Sequence, residues 1–421
     1  MQEHPILSQV TLGYSPMIDR QRAVIATRLT VFPERPDAVP DPQALFAAFA
    51  GIWPEAANPG PASARPLNPG AVAERRQVSG MKPVSLNIAG EALLGAVLAA
   101  KPPPQLMVEV PAFMALDPQC LAPLMAAHGE GTMLLVKGRP RTPLARELLP
   151  CFAHSIVDAG DDLRGEAAAP AGVIRGISTV QSGVHTLADV EAAFKRGAVA
   201  TLGWPLDDPV LKKAGRAGVP ADVTVVLELI DGVEREWPVA KLEAVIRRDP
   251  TLAFRLLRYL NSPAFGLSVE INSFGHAMMM LGHQRLKRWL ALLLASSSKD
   301  PNAKPALFAA VRRGLLMEEF GRASGDAETR GELFICGVFS LLDKLLDQPL
   351  VDLFAAVPVP ERVRQALLGE TGPFQPYLEL LRAVEREAVF DVRENAERMF
   401  MSLAEVNRAI LAALANARAL D

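Results

Sequence analysis

Six histidines, three cysteines and the acids that could join them are where chemistry would have to begin in this chain. A divalent ion that activates water needs imidazole nitrogens and carboxylates converging on it. None of the histidines is followed by Asp: their successors are Pro5, Gly129, Ser155, Thr186, Ala277 and Gln284. His276 and His283 would share one face of an unbroken helix, but Gly282 intervenes and no acid is in register with them, so surface or capping roles are expected over metal ligation. Cys120, Cys151 and Cys336 are far apart, odd in number and without CxxC spacing, which favours neither a zinc knuckle nor a disulfide framework. Ser340 and Cys336 could act as nucleophiles only beside a base, and both sit in an apolar helical run that reads as buried. No catalytic residue and no metal is expected.

The charges point elsewhere. Arg247, Arg248, Arg255, Arg258, Arg285, Lys287 and Arg288 form a basic population in one stretch of the chain. Solvated helix faces account for such charges; an acidic protein partner, ranked first, or a phosphate ligand is the functional alternative. The net charge of −3 supplies no global positive field for a phosphate backbone, so nucleic acid is not an expected partner.

The elements that must position these residues fall into two kinds. At 421 residues the chain exceeds what one core organises, and half of it is hydrophobic, so two folded domains are expected. In the first half, Val24 to Ala26, Val84 to Ile88, Leu106 to Val110, Met133 to Val136 and Val173-Ile174 read as strands. Leu45 to Phe49, Leu93 to Ala100 and Leu187 to Arg196 read as the helices between them. Strand and helix in alternation imply an α/β layer or barrel. The Pro/Gly/Ala-rich run from Pro54 to Gly70 reads as a loop.

After Pro209 helical periodicity takes over, at Val223 to Ile230, Val239 to Arg248, Leu252 to Leu260, Ala277 to Leu281, Gln284 to Ala295, Pro305 to Phe320, Glu332 to Leu346 and Glu361 to Leu368. This half is expected to be all-α, with the boundary near 206 to 220. The domains are therefore 1–208 and 209–421. No apolar run approaches the ~20 residues a membrane-spanning helix needs, and Met1 to Pro5 does not resemble a secretory signal. A cytoplasmic protein is expected.

The string Asp249-Pro250-Thr251-Leu252, then Leu256-Leu257-Arg258-Tyr259-Leu260-Asn261-Ser262, Leu281-Gly282, and later Cys336 to Lys344, resembles the HDOD family of bacterial signalling output domains over roughly residues 215 to 385. The resemblance implies an HD-related helical bundle. Where the catalytic relatives of that fold carry Gly-Leu-Leu-His-Asp, this chain carries Ser340 and Leu341, so hydrolysis by that chemistry is not expected. Asn261 and Ser262 read as a helix terminator and a turn hydroxyl, with ligand contact as the alternative.

Tyr14-Ser15-Pro16-Met17-Ile18-Asp19-Arg20, followed by Val24 to Ala26, Ser85-Leu86-Asn87, Met107 to Val110 and Gly203-Trp204-Pro205-Leu206, resembles the EAL domains, TIM-like barrel phosphodiesterases acting on cyclic di-GMP, over about residues 8 to 208. The resemblance also shows what is missing. The Glu-Ala-Leu signature reads Arg28-Leu29-Thr30, the paired-aspartate segment reads Val136-Lys137-Gly138-Arg139, and the late Val-Glu step reads Val184-His185. Asn87 and Glu109 match retained family ligands. Metal-assisted phosphodiester hydrolysis needs several carboxylates, so a degenerate EAL barrel is implied, with structural roles for Asn87 and Glu109.

The expectation is thus a non-catalytic bacterial signalling protein, linked to cyclic di-GMP by resemblance, whose helical half binds an unidentified protein; a second copy of the chain is a further candidate partner. The alternative is a cyclic di-GMP-binding effector without hydrolysis, using Arg28, Asn87 and Glu109, with Lys137 or Arg139 for the anion.

Overall fold

The computed structural model describes residues 4–35, 37–52, 83–103, 106–140, 142–161, 177–210, 221–246, 248–249, 274–298, 300–324, 326–355 and 357–418. The Pro54 to Gly70 run, Val173-Ile174, Leu252 to Leu260, Asn261, Ser262, Arg247, Arg255 and Arg258 lie outside these residues.

Eight strands close into a barrel in chain order: β1 (Val10–Asp19), β2 (Val24–Pro33), β3 (Val84–Ile88), β4 (Leu106–Pro111), β5 (Met133–Lys137), β6 (Phe152–Asp158), β7 (Ser178–Ser182) and β8 (Ala200–Leu202). β1 runs antiparallel to both β2 and β8, and the remaining neighbours are parallel. Three of the helices between parallel strands begin at side-chain caps. Asp41 and Asp117 each accept from the amide two residues on, with proline in the first helical position where a missing N–H is harmless. Thr186 and Asp189 form a reciprocal capping box at Leu187–Lys195.

Side chains alternate along a strand, so the barrel interior is built in layers. Met17, Ala26, Met107, Leu135, Ile156, Val180, Ala200 and Leu202 pack as its apolar layer. Two residues further along β2, β4 and β5 the same inward face carries Arg28, Glu109 and Lys137, which places a polar layer above the apolar one at the C-terminal ends of the parallel strands. That end is where barrels of this kind hold their sites.

Beyond Pro209 the described residues form helices and no strand. Ala221–Glu234, Val239–Ile246, Phe274–Ala295, Lys304–Phe320, Ala327–Phe339 and Glu361–Leu368 are the longer members before residue 370. Gly314 and Gly337 allow Lys304–Phe320 and Ala327–Phe339 to approach closely: a Cβ on Gly337 would lie 2.4 Å from the Arg313 carbonyl oxygen. The expected single helix from Glu332 to Leu346 is two, because the Ser340 hydroxyl donates back to the Gly337 carbonyl at 2.7 Å and Leu341 leaves helical geometry. No helix among the described residues is long and apolar enough to cross a membrane.

The chain divides into two compact units, one comprising residues 1–208 and 382–411, the other 209–381 and 412–421. The sequence reading assigns all of 209–421 to the helical half, whereas residues 382–411 join the barrel unit. Asn407, fully buried, holds that segment in place: its amide nitrogen donates to the carbonyls of Leu7 and Val10, and its side-chain oxygen accepts from the Leu12 N–H. These three bonds satisfy backbone groups at the start of β1 that would otherwise be buried without partners.

Candidate functional site at the barrel mouth

The polar layer is one connected network. Arg28 donates from Nε to Glu109 Oε1 at 2.9 Å and from Nη2 to Oε2 at 2.6 Å, a two-point fork on a carboxylate whose side chain has no solvent exposure. Ser85 adds a hydroxyl bond to Oε1 at 3.0 Å. The strand register explains the meeting: Arg28 lies opposite Ser85 across β2 and β3, and Glu109 follows on β4.

A second line of bonds runs along the same rim. Lys137 Nζ donates to Asn87 Oδ1 at 2.6 Å, Asn87 Nδ2 donates to Thr30 Oγ1 at 3.2 Å, and Thr30 Oγ1 donates to Glu387 Oε1 at 2.8 Å. A cation at one end and an anion at the other polarise every bond between them in one direction. Glu387 belongs to the C-terminal segment of the barrel unit and enters across β1, where Gly13, the register partner of Thr30, leaves it room.

Burial alone would pull the Arg28 guanidinium down, but the charge of Glu109, the hydrogen bonds to it and the charge of Glu387 hold it above its ordinary value. Burial also lowers Lys137; Glu109 and Glu387 push back, Arg28 does not, and the ammonium stays below its ordinary value.

The structure thus brings together four of the residues singled out in the sequence, Arg28, Asn87, Glu109 and Lys137. Arg139 is exposed beyond the end of β5 and takes no part in these bonds. His185 is exposed, with Nδ1 3.9 Å from the Asp207 carboxylate. Thr30, Gly13 and Glu387 complete the site without having been recognised. Thr30 and Glu387 are 357 positions apart, and no local pattern announces such a contact.

The donor set does not fit a divalent metal ion. Both Glu109 oxygens already accept from a guanidinium, and the Asn87 oxygen faces an ammonium. An ion there would meet two positive charges where extra carboxylates are needed.

In the helical unit, Ser340 Oγ accepts from Arg313 Nη1 at 3.0 Å while donating to Gly337, and Cys336 is fully buried. Asp343 is raised by burial, against the pull of Lys344 and Arg313. Of the basic population, Arg248 pairs with Glu228, Lys287 with Glu234 at 2.9 Å and Arg288 with Glu318 at 2.7 Å, while Arg285 is exposed. Gly282, at φ 67° and ψ 172°, breaks the helical path between His276 and His283. Among the described residues no group of three or more His, Cys, Asp and Glu converges on a point.

Residues 219–347 match the HDOD domain. The chain is 31% identical over 166 residues to the uncharacterized protein YuxH of Bacillus subtilis, covering 38% of this chain and 39% of that protein. It is 26% identical over 178 residues to the cyclic di-GMP phosphodiesterase CdgJ of Vibrio cholerae, covering 42% and 41%. The chain therefore spans about two fifths of the length of the curated relatives it matches. Among solved structures, the PaMucR phosphodiesterase in complex with c-di-GMP is similar at 16% identity and a TM-score of 0.29, over 48% of this chain and 96% of that one. The EAL domain of Mycobacterium smegmatis DcpA is similar at 16% identity and a TM-score of 0.31, over 48% and 93%. The layout that the sequence resemblance implied is present: a closed eight-stranded barrel followed by a helical region with an HDOD domain.

Proposed function

We propose that this chain is a non-hydrolytic component of cyclic di-GMP signalling that acts through protein contacts, with a degenerate EAL barrel as its structural partner domain and the HDOD surface as its binding face. The observation that carries the reading is the fork between Arg28 and Glu109. Hydrolysis of a phosphodiester by metal-activated water requires carboxylates free to hold the ion. Here the retained carboxylate is neutralised by the chain's own guanidinium, which stays charged across the physiological range. The likeness to CdgJ supports the signalling context. The Arg313–Ser340 bond supports the same reading of the helical unit, because the segment resembling the metal-binding helix of HD enzymes offers a hydroxyl already engaged twice.

The test is an assay of cyclic di-GMP hydrolysis with Mg²⁺ or Mn²⁺. No turnover above buffer is expected. Turnover that disappears in Glu109→Ala would overturn the proposal.

A second reading, a cyclic di-GMP-binding effector without hydrolysis, has one observation in its favour. Lys137 lines a groove of about 550 Å³ at the ends of β3, β4 and β5, together with Ile88, Gly90, Glu91, Pro111 and Phe113. Lys137 offers a cation to a phosphate and Ile88, Pro111 and Phe113 offer apolar surface to a planar ring, with Glu91 as the acid in the same lining.

A further inference from the structure

We propose that Glu387 is an internal occupant of the barrel mouth: its carboxylate stands where the phosphate group of a ligand would stand, and a phosphate-bearing ligand engages Lys137 and Arg28 only when the turn carrying Glu387 withdraws.

The turn itself is the first argument. Glu387 lies between the helices Gln375–Glu385 and Val389–Arg398 at φ 56°, in the left-handed region. Its N–H donates to Val384 O at 3.2 Å and the Ala388 N–H to Ala383 O at 3.0 Å. This is the double closure in which glycine is the usual left-handed residue. Glu236 and Phe400 close turns in the same way, so what sets Glu387 apart is the course of its side chain.

The second argument is where that side chain goes. It crosses β1 at Gly13, where a Cβ would come within 2.8 Å of Glu387 Cγ, and it ends on the Thr30 hydroxyl. Further along the same segment, Asn407 in the helix Leu403–Arg418 bonds to Leu7, Val10 and Leu12 at the start of the strand that Glu387 crosses.

The third argument is charge. The mouth holds two cations, Arg28 and Lys137, and Glu109 is committed to the first. Lys137 reaches a neutral carbonyl, and the balancing anion arrives through Asn87 and Thr30 as Glu387. A phosphate oxygen and a carboxylate oxygen ask the same of such donors. The groove that Lys137 also lines gives a competitor a way to reach it.

The inference rests on the second reading for the identity of a natural ligand, but its test reads binding rather than turnover, so its failure leaves the non-hydrolytic reading untouched. The experiment titrates the full chain calorimetrically with inorganic phosphate and with cyclic di-GMP, for the wild type, Glu387→Gln, Gly13→Ala and Glu387→Gln combined with Lys137→Ala. Glu387→Gln is expected to bind at least one probe about tenfold or more tighter than wild type, as removal of a charged competitor implies. Gly13→Ala, which displaces the turn without touching a charge, should give a gain in the same direction and serves if Glu387→Gln does not fold. Adding Lys137→Ala should cancel the gain. A gain with both probes assigns the phosphate group alone, and a gain with cyclic di-GMP only assigns the dinucleotide. Unchanged affinity in both Glu387→Gln and Gly13→Ala, or a gain that survives Lys137→Ala, would overturn the proposal.

Discussion

Arg28 meets Glu109 through two nearly parallel bonds, Nε to Oε1 at 2.9 Å and Nη2 to Oε2 at 2.6 Å, inside a barrel layer where the carboxylate has no access to water. A buried ion pair of this kind adds little net stability over an apolar pair, yet breaking it from one side leaves a charge stranded. Arg28→Ala is therefore expected to destabilise the barrel unit by about 3–5 kcal/mol. The double variant Arg28→Met with Glu109→Leu should recover most of the loss. Urea denaturation followed by circular dichroism reads both, and a double variant as unstable as the single one would contradict this view of the pair.

Asn407 ties the C-terminal segment to β1 by three bonds, all buried. Asn407→Leu removes them and leaves the Leu12 N–H and two carbonyls without partners, a loss on the order of 3 kcal/mol. Hydrogen exchange should show faster exchange in residues 386–411 and in the first residues of β1, with smaller change at β5.

His154, on β6, has its Nδ1 2.6 Å from Ser178 Oγ, and burial holds the ring below the ordinary histidine value of 6.5. The folded state then binds its proton less readily than the unfolded chain does. Stability from this residue is complete above pH 6.5 and falls on acidification until the folded ring itself protonates. His154→Gln should flatten the dependence of stability on pH just below 6.5, measured as denaturation midpoints at several pH values. An equally steep profile in the variant would assign that loss to other groups.

Gly337 allows two helices of the other unit to touch, since a Cβ there would meet the Arg313 carbonyl oxygen at 2.4 Å, a backbone atom that cannot swing aside. Gly337→Val should lower the stability of the helical unit by about 1–3 kcal/mol or more, read as a lower Tm. Val338→Ala, a nearby loss of bulk without a clash, should be milder.

The strands legible in the sequence, at Val24 to Ala26, Val84–Ile88, Leu106–Pro111 and Met133–Lys137, are short runs dominated by β-branched and aliphatic residues, and the polar Ser85, Asn87, Glu109 and Lys137 among them are the ones that face the mouth. β1 is not among the strands read from the sequence; it carries Gly13, which admits Glu387, and Pro16, which sits beside a bulge. β6 and β7 are rich in polar residues, and β8 is too short to carry a period. At the site, the arrival of a cation at position 28 was readable from resemblance, but its consequence was not. Whether Arg28 points at Glu109 depends on register across three strands, and the arrival of Glu387 depends on a return of the chain after almost its whole length.

The central claim is that Arg28 supplies in this barrel the positive charge that a metal ion would otherwise bring to Glu109. Thermal denaturation across a Mn²⁺ titration, comparing wild type with Arg28→Glu, tests it most directly. The wild type should show no Mn²⁺-dependent change in Tm. Arg28→Glu places a second carboxylate beside Glu109 and should be stabilised as Mn²⁺ rises, by about 2.7 kcal/mol when the ion reaches roughly 100 times its Kd. A wild-type Tm that climbs with Mn²⁺, and ceases to climb in Glu109→Ala, would contradict the account.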